Sequence, residues 1–258
     1  MWQRSSLERY RRIYRRTPGW FQWEAAAIWD ALYEFHRAEG IHGDLLEIGV
    51  FRGKSAALSL LHTDRDRETL VLVDLWLRKR RIRRIVRRFG REDWRGIEAH
   101  RCDSREIFEL PEFAGRDRSF RWIHIDGEHS TEALRNDLEA AHRLLADRGI
   151  ACIDDFFCSS YPHLTKTVFE YLSENPSHFQ LFLTGFGKAF LARPKEARTY
   201  LRFCRRELIA RLEQRRVRLT LFETASCMEA GFGICPREKD LTYRGSDDPS
   251  VNFEPLGP

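Results

Sequence analysis

The stretch "DLLEIGVFRGKSA", residues 44–56, decides the fold of this chain. Leu45, Leu46 and Ile48 make a short apolar run, and Gly49 and Gly53 then bracket a turn that opens onto a helix-forming segment. Strand, glycine turn and helix form the opening unit of a parallel α/β sheet. The glycines let the backbone approach a bound group closely, and the helix start offers N–H donors with no partner of their own.

Working outward, the unit repeats. "TLVLVD" (69–74), "GIEAHR" (96–101), "FRWIHID" (120–126) and "GIACID" (149–154) read as further strands. Helical segments follow at about 53, at 78–91, just past 101, at 131–146 and at 164–174. Five strand–helix alternations predict a Rossmann-like, doubly wound, mostly parallel sheet. "FQLFLTG" and "KAFLARP" (179–194), joined through glycine, predict an antiparallel hairpin at one edge and bring the count to seven strands. Upstream, Ser5 and Glu8 fit a capping box, and "TPG" at 17–19 ends that first helix. A second helix, 20–39, is expected to bury Trp20, Trp23, Ala27, Ala31 and Phe35 and to stop at Gly40. The expected organisation is an N-terminal helical segment (1–40), a cofactor-binding domain (41–194) and a C-terminal helix to about 216 with an irregular extension (195–258).

At 42% hydrophobic and 12% aromatic, the 258 residues exclude a disordered chain. No apolar run approaches the roughly 20 residues that cross a bilayer, and the N-terminus lacks the apolar core of a secretory signal. A soluble, cytoplasmic protein is the expectation, and a homo-oligomer is left open. Six cysteines without CxxC spacing read as reduced packing residues. The net charge of +5 conceals a segregation: residues 1–16 carry +5, residues 78–91 ("RKRRIRRIVRRFGR") carry +9, and the remainder carries −9. The second segment reads as an amphipathic helix with Ile82, Ile85, Val86 and Phe89 on one face. Its arginines suit either a solvated face or attraction of an anionic substrate, a nucleic acid or an acidic membrane surface.

In an open α/β sheet the ligand lies at the carboxyl ends of the strands. Asp74 ends the second strand, placed to accept hydrogen bonds from ribose hydroxyls. Asp126 ends the fourth and Asp154 the fifth, with Asp155 beside it, so three carboxylates converge. Such hard oxygen ligands suit Mg²⁺ or Mn²⁺ better than Zn²⁺. Capping of turns is the competing reading for Asp126 and Asp155. Phe156 and Phe157 read as a dry wall beside them.

Glu47-Ile-Gly49-Val-Phe51-Arg-Gly53 resembles the acidic-x-Gly-x-Gly-x-Gly motif of class I S-adenosylmethionine-dependent methyltransferases, with Phe51 where the middle glycine is usual. That variant, with "CDSREIF", "IHIDGEHSTEALRNDL" and "IDDFF", is similar to the branch of metal-dependent macrolide-sugar O-methyltransferases and cephalosporin-hydroxylase-like proteins. The resemblance implies S-adenosylmethionine as cofactor. It places Glu47, Gly49 and Ser55 at the cofactor's amino-acid end, Asp74 on its ribose, and Asp103 and Ser104 beside its adenine. Asp103 and Ser104 serve equally well as a helix N-cap. The resemblance also makes the matching aspartates metal ligands and His129 a candidate base; a loop or capping role is the alternative for His129. His124 reads as a core or cleft-wall residue, and His163 as a loop residue bordering the substrate. The expected activity is metal-assisted O-methyl transfer to a hydroxylated small molecule, possibly an anionic one, with the sugar class implied by resemblance alone. The competing readings are a nucleic-acid substrate tracked by the basic helices, and a binding or membrane-surface protein on the same fold.

Overall fold

The computed structural model describes residues 5–88, 95–223 and 231–237. Its strands are β1 (Asp44–Ile48), β2 (Leu70–Val73), β3 (Ile97–His100), β4 (Phe120–Ile125), β5 (Leu145–Ile153), β6 (Gln180–Gly185), β7 (Lys188–Ala192), β8 (Leu219–Glu223) and β9 (Phe232–Pro236). They form one sheet in the order β3-β2-β1-β4-β5-β7-β6-β9-β8. The five strands from β3 to β5 run parallel, and β7 is antiparallel to both β5 and β6. The mostly parallel sheet is therefore as expected, but it has nine strands rather than seven.

The two added strands come from the region expected to be irregular. β9 pairs with β6 in parallel and β8 with β9 antiparallel, so the β6–β7 hairpin lies inside the sheet and not at its edge. Both strands are five residues long, and "FGICP" contains glycine and proline, which weaken a strand signal in sequence. Their pairing covers backbone groups that β6 would otherwise leave open.

Residues alternate across the sheet. Leu45, Leu70, Leu72, Trp122, Ile150 and Cys152 join the core built with α1 (Ser6–Tyr14), α2 (Trp23–Ala38) and α3 (Lys54–His62). Leu46, Val71, Val73, Ile123, Ile125, Ala151 and Ile153 join the opposite core, built with α5 (Thr131–Leu144) and α6 (Pro162–Glu174). The basic helix is α4 (Lys79–Arg88); its Ile82 and Ile85 are buried, while Phe89 and the Val86 side chain lie outside the described residues. α7 (Pro194–Phe203) continues through a π-helical turn, Cys204–Leu208, into α8 (Ile209–Gln214). Among the described residues no helix is long and apolar enough to cross a membrane, and Cys102, Cys152, Cys158 and Cys204 are free thiols, Cys227 lying outside the described residues.

The N-terminus is as expected in one respect and corrected in another. Ser5 and Glu8 form the reciprocal capping box. Trp20 does not join the core: α2 begins only at Trp23, which leaves Trp20 in the preceding loop, 90% exposed and stacked on Phe51 at 5.6 Å.

Gly49 is the tightest point of the framework. Its φ is +83°, and a Cβ there would sit 1.7 Å from the Asp126 carbonyl oxygen. Gly40 has a similar φ of +64° but nothing within 4 Å. Gly40→Ala is expected to cost about 1 kcal/mol of strain alone. Gly49→Ala adds a backbone clash and is expected to cost about 3 kcal/mol or more, a fall in Tm on the order of 10 °C. Thermal melts of the two variants check this difference.

Candidate functional site

A cleft of about 960 Å³ opens at the carboxyl ends of β1, β2, β4 and β5. Gly49, Ser55, Asp74, Asp103, Ser104, Asp126, His129, Asp154 and Asp155 all line it, together with Gly19, Trp20 and Phe21 from the loop before α2. Glu47 and Gly53 stand behind that lining. Glu47 is buried; its Oε1 accepts a 2.6 Å hydrogen bond from Ser55 Oγ, and its Oε2 has no partner. Gly53 caps α3 with φ +73°, and Ile85 and Ile82 of α4 close over it.

The turn after β1 is drawn tight by Asp74. Its Oδ2 accepts from the Val50 and Phe51 amides, each at 2.8 Å, and its Oδ1 from the Trp76 amide at 2.6 Å. Oδ1 keeps one lone pair for a ligand, while Oδ2 is fully used. Phe51 therefore holds φ +46° at the position where glycine is usual, a conformation that costs a side chain on the order of 1–3 kcal/mol. At the third strand the capping reading is realised: Asp103 accepts from the Arg105 amide at 3.0 Å and from its guanidinium on both oxygens. Ser104 borders the same cleft.

The acidic corner divides in two. Asp154 faces inward, where Lys188 at the start of β7 donates to its Oδ1, as does the Asp155 amide at 2.7 Å. His124 Nε2 lies 3.5 Å from its Oδ2, and Nδ1 of the same ring lies 3.8 Å from Glu47. Burial alone would raise the Asp154 carboxyl, but Lys188 and His124 outweigh burial and hold it below the usual carboxylate range. Burial likewise opposes charge on His124, yet Asp154 and Glu47 push it up to about 9.

Asp126, Asp155 and His129 face the cleft. His129 Nε2 is 2.9 Å from Asp155 Oδ2 and 3.7 Å from Asp126 Oδ1. The two carboxylates, Asp126 foremost, push the imidazole up to about 10. Enclosure, and then the charge of Asp154, push Asp126 itself up to about 6. Asp155 reaches this position through a left-handed backbone, φ +53°, which a short polar side chain tolerates. Tyr161 stacks on His129 at 4.3 Å, and His163 Nε2 lies 2.9 Å from the His129 carbonyl.

Two expectations change here. His163 belongs to the first turn of α6, not to a loop, because Pro162 starts that helix. Phe157 is 66% exposed, since its own φ of +61° turns it away from the core, and Phe156 alone is buried. Sequence reading missed Lys188 and Tyr161. A lysine opening an apolar strand, "KAFLA", was the available signal, since ammonium groups are rarely buried unless paired.

Lys188→Met should leave the buried Asp154 with His124 alone to offset its charge and cost about 3 kcal/mol. Adding Asp154→Asn should recover most of that loss. A double-mutant cycle in urea checks it, and additive effects would contradict the coupling.

Residues 46–156 match a family model described as a methyltransferase domain. No curated protein matches the chain. Among solved structures, the O-methyltransferase NovP is 17% identical with a TM-score of 0.54, covering 66% of this chain and 80% of its own. CalS11, a TDP-rhamnose 3′-O-methyltransferase of calicheamicin biosynthesis, is 13% identical with a TM-score of 0.51, covering 72% and 92%. MycE of the mycinamycin pathway, solved with Mg and SAH, is 15% identical with a TM-score of 0.54, covering 74% of this chain and 55% of that one. At these identities the structural likeness speaks for the fold. The family match spans the glycine turn and most of the residues that line the cleft, so the cleft lies largely in the part of the chain that is similar to a methyltransferase domain.

Proposed function

We propose that the chain transfers a methyl group from S-adenosylmethionine to a hydroxyl of a sugar or glycosylated metabolite, assisted by a divalent cation. The observation that carries this reading is the placement of Asp126, His129 and Asp155 on the open side of the cleft, beside the glycine turn. In this reading Glu47, Gly49, Gly53, Ser55, Asp74, Asp103 and Ser104 hold the cofactor. The unpartnered, buried Glu47 Oε2 and the space that only glycine leaves at position 49 suit a bound group there. Residues 41–194 would be the cofactor-binding unit, with the loop before α2 forming part of its wall.

The acidic corner fits Mg²⁺ or Mn²⁺. Ligand atoms of Asp126, His129 and Asp155 lie within 4.8 Å of one another, as do those of His124, Asp126 and Asp154. Asp126 is common to both groups. Asp126 and Asp155 have the freer carboxylates, because Lys188 already engages Asp154. A divalent cation there would supply Lewis acidity, lowering the pKa of a coordinated hydroxyl. Methyl transfer from a sulfonium is an in-line displacement, so the chain's own task is to align the acceptor and remove its proton.

His129 is the group placed to take that proton, at Nε2. In the cation-free chain it is already protonated at neutral pH by its two carboxylates. With their charge met by a cation, Asp126 and Asp155 no longer hold that proton, and His129 returns toward its ordinary range near 6.5. Tyr161 and His163 keep the ring and its loop in place.

In the cation-free protein the His129 resonance should titrate near 10, so its contribution to stability is full below about 6.5 and lost as pH rises through the folded value. Saturating Mg²⁺ should bring the titration down toward neutral. In assays with labelled S-adenosylmethionine and a panel of glycosides, EDTA should abolish transfer. Asp126→Ala and Asp155→Ala should do the same while cofactor binding survives, and His129→Ala should cost about 10²–10⁴-fold in rate. Transfer undiminished by EDTA contradicts the cation's role.

A further inference from the structure

Resting on the acceptor reading above, we propose that the methyl acceptor is an acidic oligosaccharide. Its terminal sugar enters the cleft, and its negatively charged groups lie along an arginine track on α4.

The orientation of α4 is fixed by its apolar side. Ile85 and Ile82 close over Gly53, 2.8 Å and 3.2 Å from where a Cβ would stand. At about 100° per residue, Arg81 then falls beside the buried face and Arg84, Arg80 and Arg87 continue the arc outward. The surface agrees: Arg78 and Arg81 line the cleft, whereas Arg80, Arg83, Arg84 and Arg87 line an adjoining groove of about 520 Å³. The arginines thus run from inside the cleft to the outer surface without a break. α4 contains no acid, and no carboxylate among the described residues pairs with Arg78, Arg80, Arg81, Arg84 or Arg87. An unneutralised cationic track leading into a catalytic cleft selects for a ligand with negative charge beyond its reacting end.

Other polyanions fit less well. A helix that lies on a bilayer inserts an apolar face, and here Ile82 and Ile85 are already packed inside. Unpaired nucleic acid binds through aromatic platforms set among the cations, and α4 has none among its described residues. The exposed aromatic pair Trp20–Phe51 sits instead at the cleft mouth, where the apolar face of a single sugar ring can pack on it.

The test uses the full chain and three ligands: a decagalacturonate, an uncharged maltodecaose and a single-stranded RNA decamer. Binding is measured by titration calorimetry at several salt concentrations. The variants are Arg80→Gln/Arg84→Gln/Arg87→Gln and, as an equal-charge control on α1 and its C-cap, Arg9→Gln/Arg12→Gln/Arg15→Gln. The wild type should bind decagalacturonate at least 10-fold more tightly than maltodecaose. The α4 variant should lose on the order of 10²-fold at low salt, with a flatter salt dependence, and the α1 control less than 3-fold. S-adenosylmethionine affinity should be equal in all three proteins, which also reports folding. Equal losses in the two variants, or tighter binding of the RNA through α4, would overturn the proposal while leaving the methyltransferase reading intact. Oligosaccharide binding without any affinity for S-adenosylmethionine would instead overturn that reading, and with it the track's role as an acceptor subsite.

Discussion

Lys188 and Asp154 form a buried ion pair at the point where β5 and β7 run antiparallel beside the cleft. Four carboxylates, those of Glu47, Asp126, Asp154 and Asp155, gather around this point, and in a poorly hydrated site their repulsion is far stronger than in water. Lys188 and His124 neutralise the inner pair, Asp154 and Glu47. The Asp155 amide then donates to Asp154, and that contact helps hold Asp155 in its left-handed conformation, with its carboxylate toward His129. A fixed internal cation thus divides the acidic corner into a structural half and a half that faces the cleft.

The glycine-turn side of the cleft is built by a comparable economy of parts. Asp74 ties down the turn after β1 through the Val50 and Phe51 amides and its own turn through the Trp76 amide, so the backbone there is shaped before any ligand arrives. Gly53 carries the next element, because the absent Cβ leaves room for Ile82 and Ile85. One glycine therefore starts α3 and seats α4, and the seating of α4 directs its arginines toward the cleft mouth and the outer surface. Lys54 extends the link to the N-terminal segment: its ammonium donates to the Gly19 carbonyl at 3.0 Å and lies 4.0 Å over the Tyr14 ring.

Much of this was legible in the sequence. The strand–helix alternation gave the parallel half of the sheet, because buried parallel strands are continuous apolar runs that end in polar residues at the cleft. Asp126, Asp154 and Asp155 were legible as a group, since parallel neighbours align their carboxyl ends. The sequence ranks Asp154, which ends the strand, as the firmer ligand and Asp155 as a more distant partner; the opposite ranking proposed above was not legible, because Lys188 lies 34 residues from Asp154 and meets it only through the β5–β7 pairing. β8 and β9 escaped notice for a similar reason: their partners are remote, and glycine and proline mask the alternation. Trp20 and Phe157 were misjudged because apolar character predicts burial only where the backbone turns the side chain inward, and both sit in loops.

The central claim is that Asp126 and Asp155, rather than the Lys188-bound Asp154, supply the principal carboxylates of a divalent-cation site. Mn²⁺ binding followed by electron paramagnetic resonance tests it most directly, with S-adenosylmethionine affinity as the check on folding. One equivalent of Mn²⁺ should bind the wild type, and Asp126→Asn and Asp155→Asn should each lower its affinity more than Asp154→Asn does. Equal affinity in the wild type and the Asp126→Asn and Asp155→Asn variants would contradict the account.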